Sequence, residues 1–242
     1  MAKSKEILPT AAERLAQFIR SAVSPYHTVE ESRKLLKKAG FTALETTKKW
    51  KLSPGGKYFV SPYKTALFAF TIPESRKRGI HIAAAHTDFP CLHVKPAAEL
   101  ETKGYMRVNT EIYGGPILNT WLDRPLSLAG RVMLRSSDIY APHELLIDFK
   151  RPVLTIPNLA VHYNREVNDG IKLTRQNDML PVMGMINEHF NRDSYFIDFL
   201  ANEIKADRDD ILDFDLIVYN AEEPLFVGAE GDMLSSPRQI GR

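Results

Sequence analysis

His86-Thr87-Asp88 is the tripeptide with the clearest chemical potential in this sequence. A neutral imidazole is a good zinc ligand, and a metal-bound histidine usually gives its other ring N–H to a carboxylate. Residues i and i+2 of an extended chain point to the same side, so Asp88 is placed to fix the His86 tautomer and raise its basicity. The alternative is a surface histidine and aspartate bonded to each other at a turn.

The other candidates carry weaker signals. His162, in Leu159-Ala160-Val161-His162-Tyr163-Asn164-Arg165, reads by itself as a half-buried loop histidine. His27, His81, His93, His143 and His189 have no matching carboxylate pattern, and His81 sits inside an apolar run. Trp121-Leu122-Asp123-Arg124 offers an acid and a base, either for structural ion pairs, the favoured reading, or for a substrate terminus. Tyr113-Gly114-Gly115-Pro116 lacks the lysine and the spacing of a phosphate loop and reads as a β-turn. Cys91 has no adjacent histidine or base to activate it.

These side chains need elements to hold them. Thr10-Ala11-Ala12-Glu13 has the spacing of a capping box, and Leu15, Phe18, Ile19 and Val23 follow at helical spacing up to Pro25. Thr28-Val29-Glu30-Glu31 repeats the signature for a helix that reaches Gly40. Lys57–Val60 and Thr65–Phe70 read as strands punctuated by Pro54-Gly55-Gly56 and Ser61-Pro62. Ile80–Ala85 is a continuous apolar run, as in a strand buried on both faces, with His86 at its carboxyl end, where open α/β sheets place ligand sites. Met106, Val108 and Ile112, then Leu126 to Leu134, then Leu145, Ile147 and Phe149 alternate as half-buried antiparallel strands. Helices are expected at 181–190 and 194–206, and a strand at Asp213–Tyr219. A β-rich block of this length inside an α/β chain reads as an inserted domain.

Composition narrows the function classes. The 242 residues hold 32 Lys plus Arg against 30 Asp plus Glu, a formal net charge of +2, which argues against a dedicated nucleic-acid or membrane-surface binder. A nucleic-acid reading would rest only on the basic stretch 31–51, for which a solvated face is the simpler account. The acid-rich stretch 193–215 has the same simple account, and the pair could also form complementary subunit faces. The apolar fraction of 44% excludes wholesale disorder. No apolar run approaches the ~20 residues of a membrane span. A single cysteine rules out an intramolecular disulfide, and a cytoplasmic location is expected.

Several segments together carry a resemblance. Ala84–Leu92 and Thr120–Val132, with Ser24-Pro25-Tyr26-His27-Thr28, Gly56–Val60 and Ile156–His162, resemble the aspartyl aminopeptidase family of zinc metallopeptidases, in the family's order. The resemblance implies an α/β/α sandwich catalytic domain interrupted by a β-rich dimerisation domain: residues 1–92 catalytic, 93–232 inserted, 233–242 a return to the catalytic domain. It implies a two-zinc exopeptidase acting on peptides, possibly with acidic N-terminal residues. His86 is then the first zinc ligand and Asp88 the catalytic carboxylate that orients it. His162 reaches across a dimer interface to touch the metal centre or the substrate, and dimers build a dodecamer. In the family, the segment like Ser236–Arg242 runs into Leu-Asp-Asn, whose aspartate bridges the metals. The chain stops before it, so the resemblance implies a first half, inactive alone. A non-catalytic assembly module is the alternative.

Overall fold

Thr10 and Glu13 satisfy each other's orphan donors. Thr10 N donates to Glu13 Oε2 at 2.6 Å, and Glu13 N donates to Thr10 Oγ1 at 3.2 Å. This is the reciprocal cap that the sequence spacing predicts. The structure is a computed structural model, which describes residues 10–75, 79–170, 172–186 and 194–238. In chain order its elements are α1 (Ala11–Ser21), α2 (Pro25–Lys38), β1 (Thr42–Leu44), β2 (Lys57–Val60), β3 (Phe68–Thr71), β4 (Cys91–Thr102), β5 (Tyr105–Tyr113), β6 (Leu126–Leu134), β7 (His143–Asp148), α3 (Val167–Gly170), β8 (Val182–Met185), α4 (Tyr195–Ile204), β9 (Ile211–Asn220), β10 (Leu225–Val227) and β11 (Met233–Ser235). They fall into two units that divide after Asp88 and after Glu222.

The first unit holds the helices α1 and α2 and two small sheets. α2 begins four residues before the Thr28 signature. Ser24 is its N-cap and Pro25 its first residue, while the Thr28 hydroxyl only donates back to Ser24 O at 3.0 Å. Proline suits that first position because its missing N–H would have no helical partner there. The helix closes at Gly40, φ +81°, with Gly40 N donating to Lys37 O and Phe41 N to Leu36 O. That pair of bonds is the Schellman close. β1 pairs in parallel with β2, which pairs antiparallel with β3. β10 and β11 form a separate hairpin.

Ile80–Ala85 departs from expectation. The run belongs to no helix and joins no ladder among the described residues, and Ile80 and Ile82 are 90% and 86% exposed. A strand buried on both faces needs neighbours on both edges and cover above and below. The described sheet of this unit ends with β1, β2 and β3 and supplies neither.

The second unit is a six-stranded antiparallel sheet in the order β7-β6-β9-β4-β5-β8. Two isolated bridges, Leu126 with Leu154 and Thr155 with Val182, carry pairing on from β6 to β8. The sheet therefore curls back on itself in a barrel-like manner. Leu92, Val108, Leu126, Leu128, Val132, Leu216 and Val218 are fully buried, together with Phe196 and Leu200 of α4. Each such side chain contributes roughly 1.5–3 kcal/mol relative to exposure. α4 is docked by charge: Glu99 of β4 accepts from Phe196 N at 3.0 Å, at the helix end that favours an anion.

Two expectations for this unit change. β6 is buried at Ser127 and Ala129 as well as at Leu126 and Leu128, so its first half is covered on both faces. Residues 182–185 form a strand and not the start of a helix over 181–190; residues 187–190 lie outside the described ones. Val182 exchanges both backbone bonds with Thr155, at 2.7 and 3.0 Å, and such pairing outweighs a local apolar spacing that fits either element. The helix expected over 194–206 and the strand over 213–219 are present as α4 and β9.

Candidate metal centre

His86 and Asp88 come together as their spacing requires. The chain bends at Thr87, not running straight as the sequence suggests, and Thr87 anchors that bend by donating from Oγ1 to Thr65 O at 2.7 Å. His86 Nδ1 lies 3.0 Å from Asp88 Oδ1, and the imidazole is 78% exposed against 30% for the carboxylate. An ionised carboxylate can only accept, so this contact favours the proton on Nδ1 and leaves the Nε2 lone pair for another partner. That is the tautomer a metal requires, with the second partner that ligating histidines normally have.

The donor chemistry fits zinc at one coordination position. A catalytic zinc normally takes three protein ligands. Among the described residues no group of three or more His, Cys, Asp and Glu side chains could hold a metal. His86 could supply one ligand at most, and the described residues do not assemble the others around it.

His162 belongs to the second unit. It is exposed in the turn Val161–Tyr163, not half-buried as the sequence suggests, and Tyr163 N closes that turn onto Ala160 O at 2.8 Å. The loop that leads to it is held from Asp123, whose Oδ1 accepts from Asn158 N at 2.9 Å. The next residue, Arg124, donates to Glu222 at 3.3 Å. Both residues of the Asp123-Arg124 pair thus do structural work, the favoured reading. Glu223 accepts from Arg20 at 3.0 Å, so neither residue of the Glu222-Glu223 pair stands clear of a cation.

His93 has no carboxylate at a matching spacing in the sequence, yet Asp215 Oδ1 lies 3.7 Å from its Nδ1. The partner comes from β9 through sheet pairing, and no local spacing signals it. Gly114 bends the chain after β5 at φ +72°, and Cys91 is buried in β4. Three of the seven cations of the basic stretch are paired with nearby acids: Arg33 with Glu30, Lys34 with Glu31, and Lys48 with Glu45. Two clefts of about 340 and 520 Å³ flank the Asn158–Asn164 loop in the second unit.

Comparison with known proteins decides what these residues belong to. The model of the aminopeptidase I zinc metalloprotease family, M18, matches residues 18–241. The chain belongs to the M18 family. A probable M18 family aminopeptidase 2 of Clostridium acetobutylicum is 42% identical over 230 residues, which is 94% of this chain and 53% of that protein. A Pseudomonas putida relative of the same description is 34% identical over 93% of this chain and 53% of its own length. This M18 chain thus spans about half the length of the curated relatives it matches. Among solved structures, a chain of the Ape4–Nbr1 complex is 33% identical with a TM-score of 0.85, over 92% of this chain and 46% of that one. The M18 aminopeptidase of Thermotoga maritima, 23% identical with a TM-score of 0.74 over 92% of this chain and 50% of its own, shares the fold. The mixed α/β architecture is accordingly that of the corresponding half of M18 aminopeptidases.

Proposed function

We propose that this chain contributes to a zinc-dependent aminopeptidase that removes N-terminal residues, acidic ones among them, from peptides. The observation that carries the reading is the Asp88–His86 pair at 3.0 Å, within a chain of a zinc metalloprotease family. When bound, zinc supplies Lewis acidity toward the scissile carbonyl and toward a water, and two ions share that task in a complete site. The part of this chain is to hold a ligand ready. Asp88 keeps the proton on Nδ1 and His86 offers Nε2. His162, exposed on the second unit, reaches the substrate or the metal of a neighbouring subunit.

The rest of the reading follows from the same relationship. Residues 1–92 are a catalytic part, 93–232 an inserted dimerisation domain and 233–242 a return; the unit divisions after Asp88 and Glu222 support this order. The remaining ligands and the general base lie outside the described residues. The subunits form homo-oligomers; one solved relative, 22% identical with a TM-score of 0.74, is a dodecamer. The location is cytoplasmic; among the described residues no helix is long and apolar enough to cross a membrane.

A second reading is an assembly module, built on the six-stranded second unit, that joins M18 subunits without turning over peptide itself. One experiment separates the two. Zinc content and release of N-terminal residues from short peptides are measured on this chain alone and on the chain continued by the second half of an M18 relative. The enzyme reading expects zinc and turnover only in the continued form. A two-zinc load on this chain alone, or no turnover in either form, would overturn it.

A further inference from the structure

Asp123 has a backbone that few residues accept. Its φ is +56°, in the left-handed region that aspartate tolerates better than most side chains. It lies just before β6, where Leu126 bridges to Leu154, so the start of β6 and the segment Leu154–Ile156 are fastened to one closed sheet. Asp123 N donates to Ile156 O at 2.9 Å. Ile156 is buried; the chain then leaves the sheet. Pro157 has no N–H, so the first donor beyond the sheet is that of Asn158. Asp123 Oδ1 accepts it at 2.9 Å, and Asn158 Oδ1 accepts from Leu159 N at 2.9 Å. The turn that carries His162 follows at once. A single side chain thus sets the course of the loop where it leaves the core, and sequence spacing does not reveal the link, since the two residues are 35 positions apart.

We propose that Asp123 is the positioning residue of His162: it fixes the direction in which Pro157–His162 leaves the sheet, and so where the imidazole is presented. The proposal rests on the reading of His162 as a group that reaches a subunit's active site. It assigns Asp123 no contact with substrate or metal.

Three substitutions separate the acceptor from the backbone. Asp123→Asn keeps an acceptor oxygen and the tolerance for positive φ. Asp123→Gly keeps the backbone freedom and loses the acceptor. Asp123→Ala loses both. Amide exchange and the His162 ring resonances are followed by NMR in the 242-residue chain, with Leu128 and Val218 amides reporting the core. Asp123→Gly is expected to speed exchange at Asn158 and Leu159 at least about fivefold and to move the His162 ring signals, with the core amides unchanged. Asp123→Asn is expected to restore both readouts. The proposal is overturned if Asp123→Gly leaves Asn158 and His162 unmoved, or if exchange accelerates equally at Val218, which would mark a general loss of sheet stability. The peptidase form continued by an M18 second half then tests the reading beneath it. If Asp123→Gly moves the loop there without changing kcat or KM, positioning stands and the active-site role of His162 falls.

Discussion

Asp88 Oδ1 meets His86 Nδ1 at 3.0 Å, a contact in which the ionised acid accepts and favours the proton on that nitrogen. In the continued, zinc-loaded enzyme, His86→Ala is expected to abolish metal uptake and turnover together. Asp88→Asn keeps an acceptor but loses the charge, and is expected to weaken zinc affinity or activity roughly 10–100-fold. Metal analysis beside a peptide assay reads both effects. Full zinc content and turnover in His86→Ala would remove the residue from the centre.

Two glycines test how the units are built. A Cβ at Gly130 would run into Asp215 O across the β6–β9 ladder, and the contact is backbone that cannot rotate away. Gly130→Ala is expected to cost about 2–3 kcal/mol, at the upper end of overpacking effects. Gly40→Ala meets open space, and only its φ of +81° opposes a side chain, so the expected loss is about 1 kcal/mol. Urea midpoints for the respective units measure both. Equal losses would mean that the β6–β9 approach is looser than it stands here.

Asp178 carries an acid-sensitive contribution. The Thr174 hydroxyl, and then the Thr174 N–H, both donate to its Oδ2 at 2.6 Å and hold the carboxyl below its ordinary value of 3.8. Because the folded value is the lower one, the contribution is complete above the ordinary value and is lost as pH falls through the folded one. Asp178→Ala is therefore expected to be less stable than the parent at pH 7, with the gap narrowing below pH 3.8. Urea titrations at a series of pH values read the gap. A constant difference down to pH 2 would contradict the assignment.

The sequence was most legible where chemistry is local. The Thr10–Glu13 cap, the strand Lys57–Val60, the helix from Tyr195 and the His86–Asp88 pair all depend on neighbours within a few positions. Pro25 misled because proline both ends helices and opens them, and Ser24 before it decides which. Val182-Met183-Gly184-Met185 misled because a short apolar run fits helix and strand alike until a pairing partner is known. The links of Asp123 to Asn158 and of His93 to Asp215 are products of sheet closure and register. No spacing rule reaches across such distances.

The bare ribbon from Ile80 to Ala85 has a practical side. A protease grips its substrate as a peptide with accessible main chain, and this stretch is exposed and lies in no helix or ladder among the described residues. Brief digestion is expected to nick the chain there first, and protection from nicking would report the arrival of whatever molecule comes to cover it.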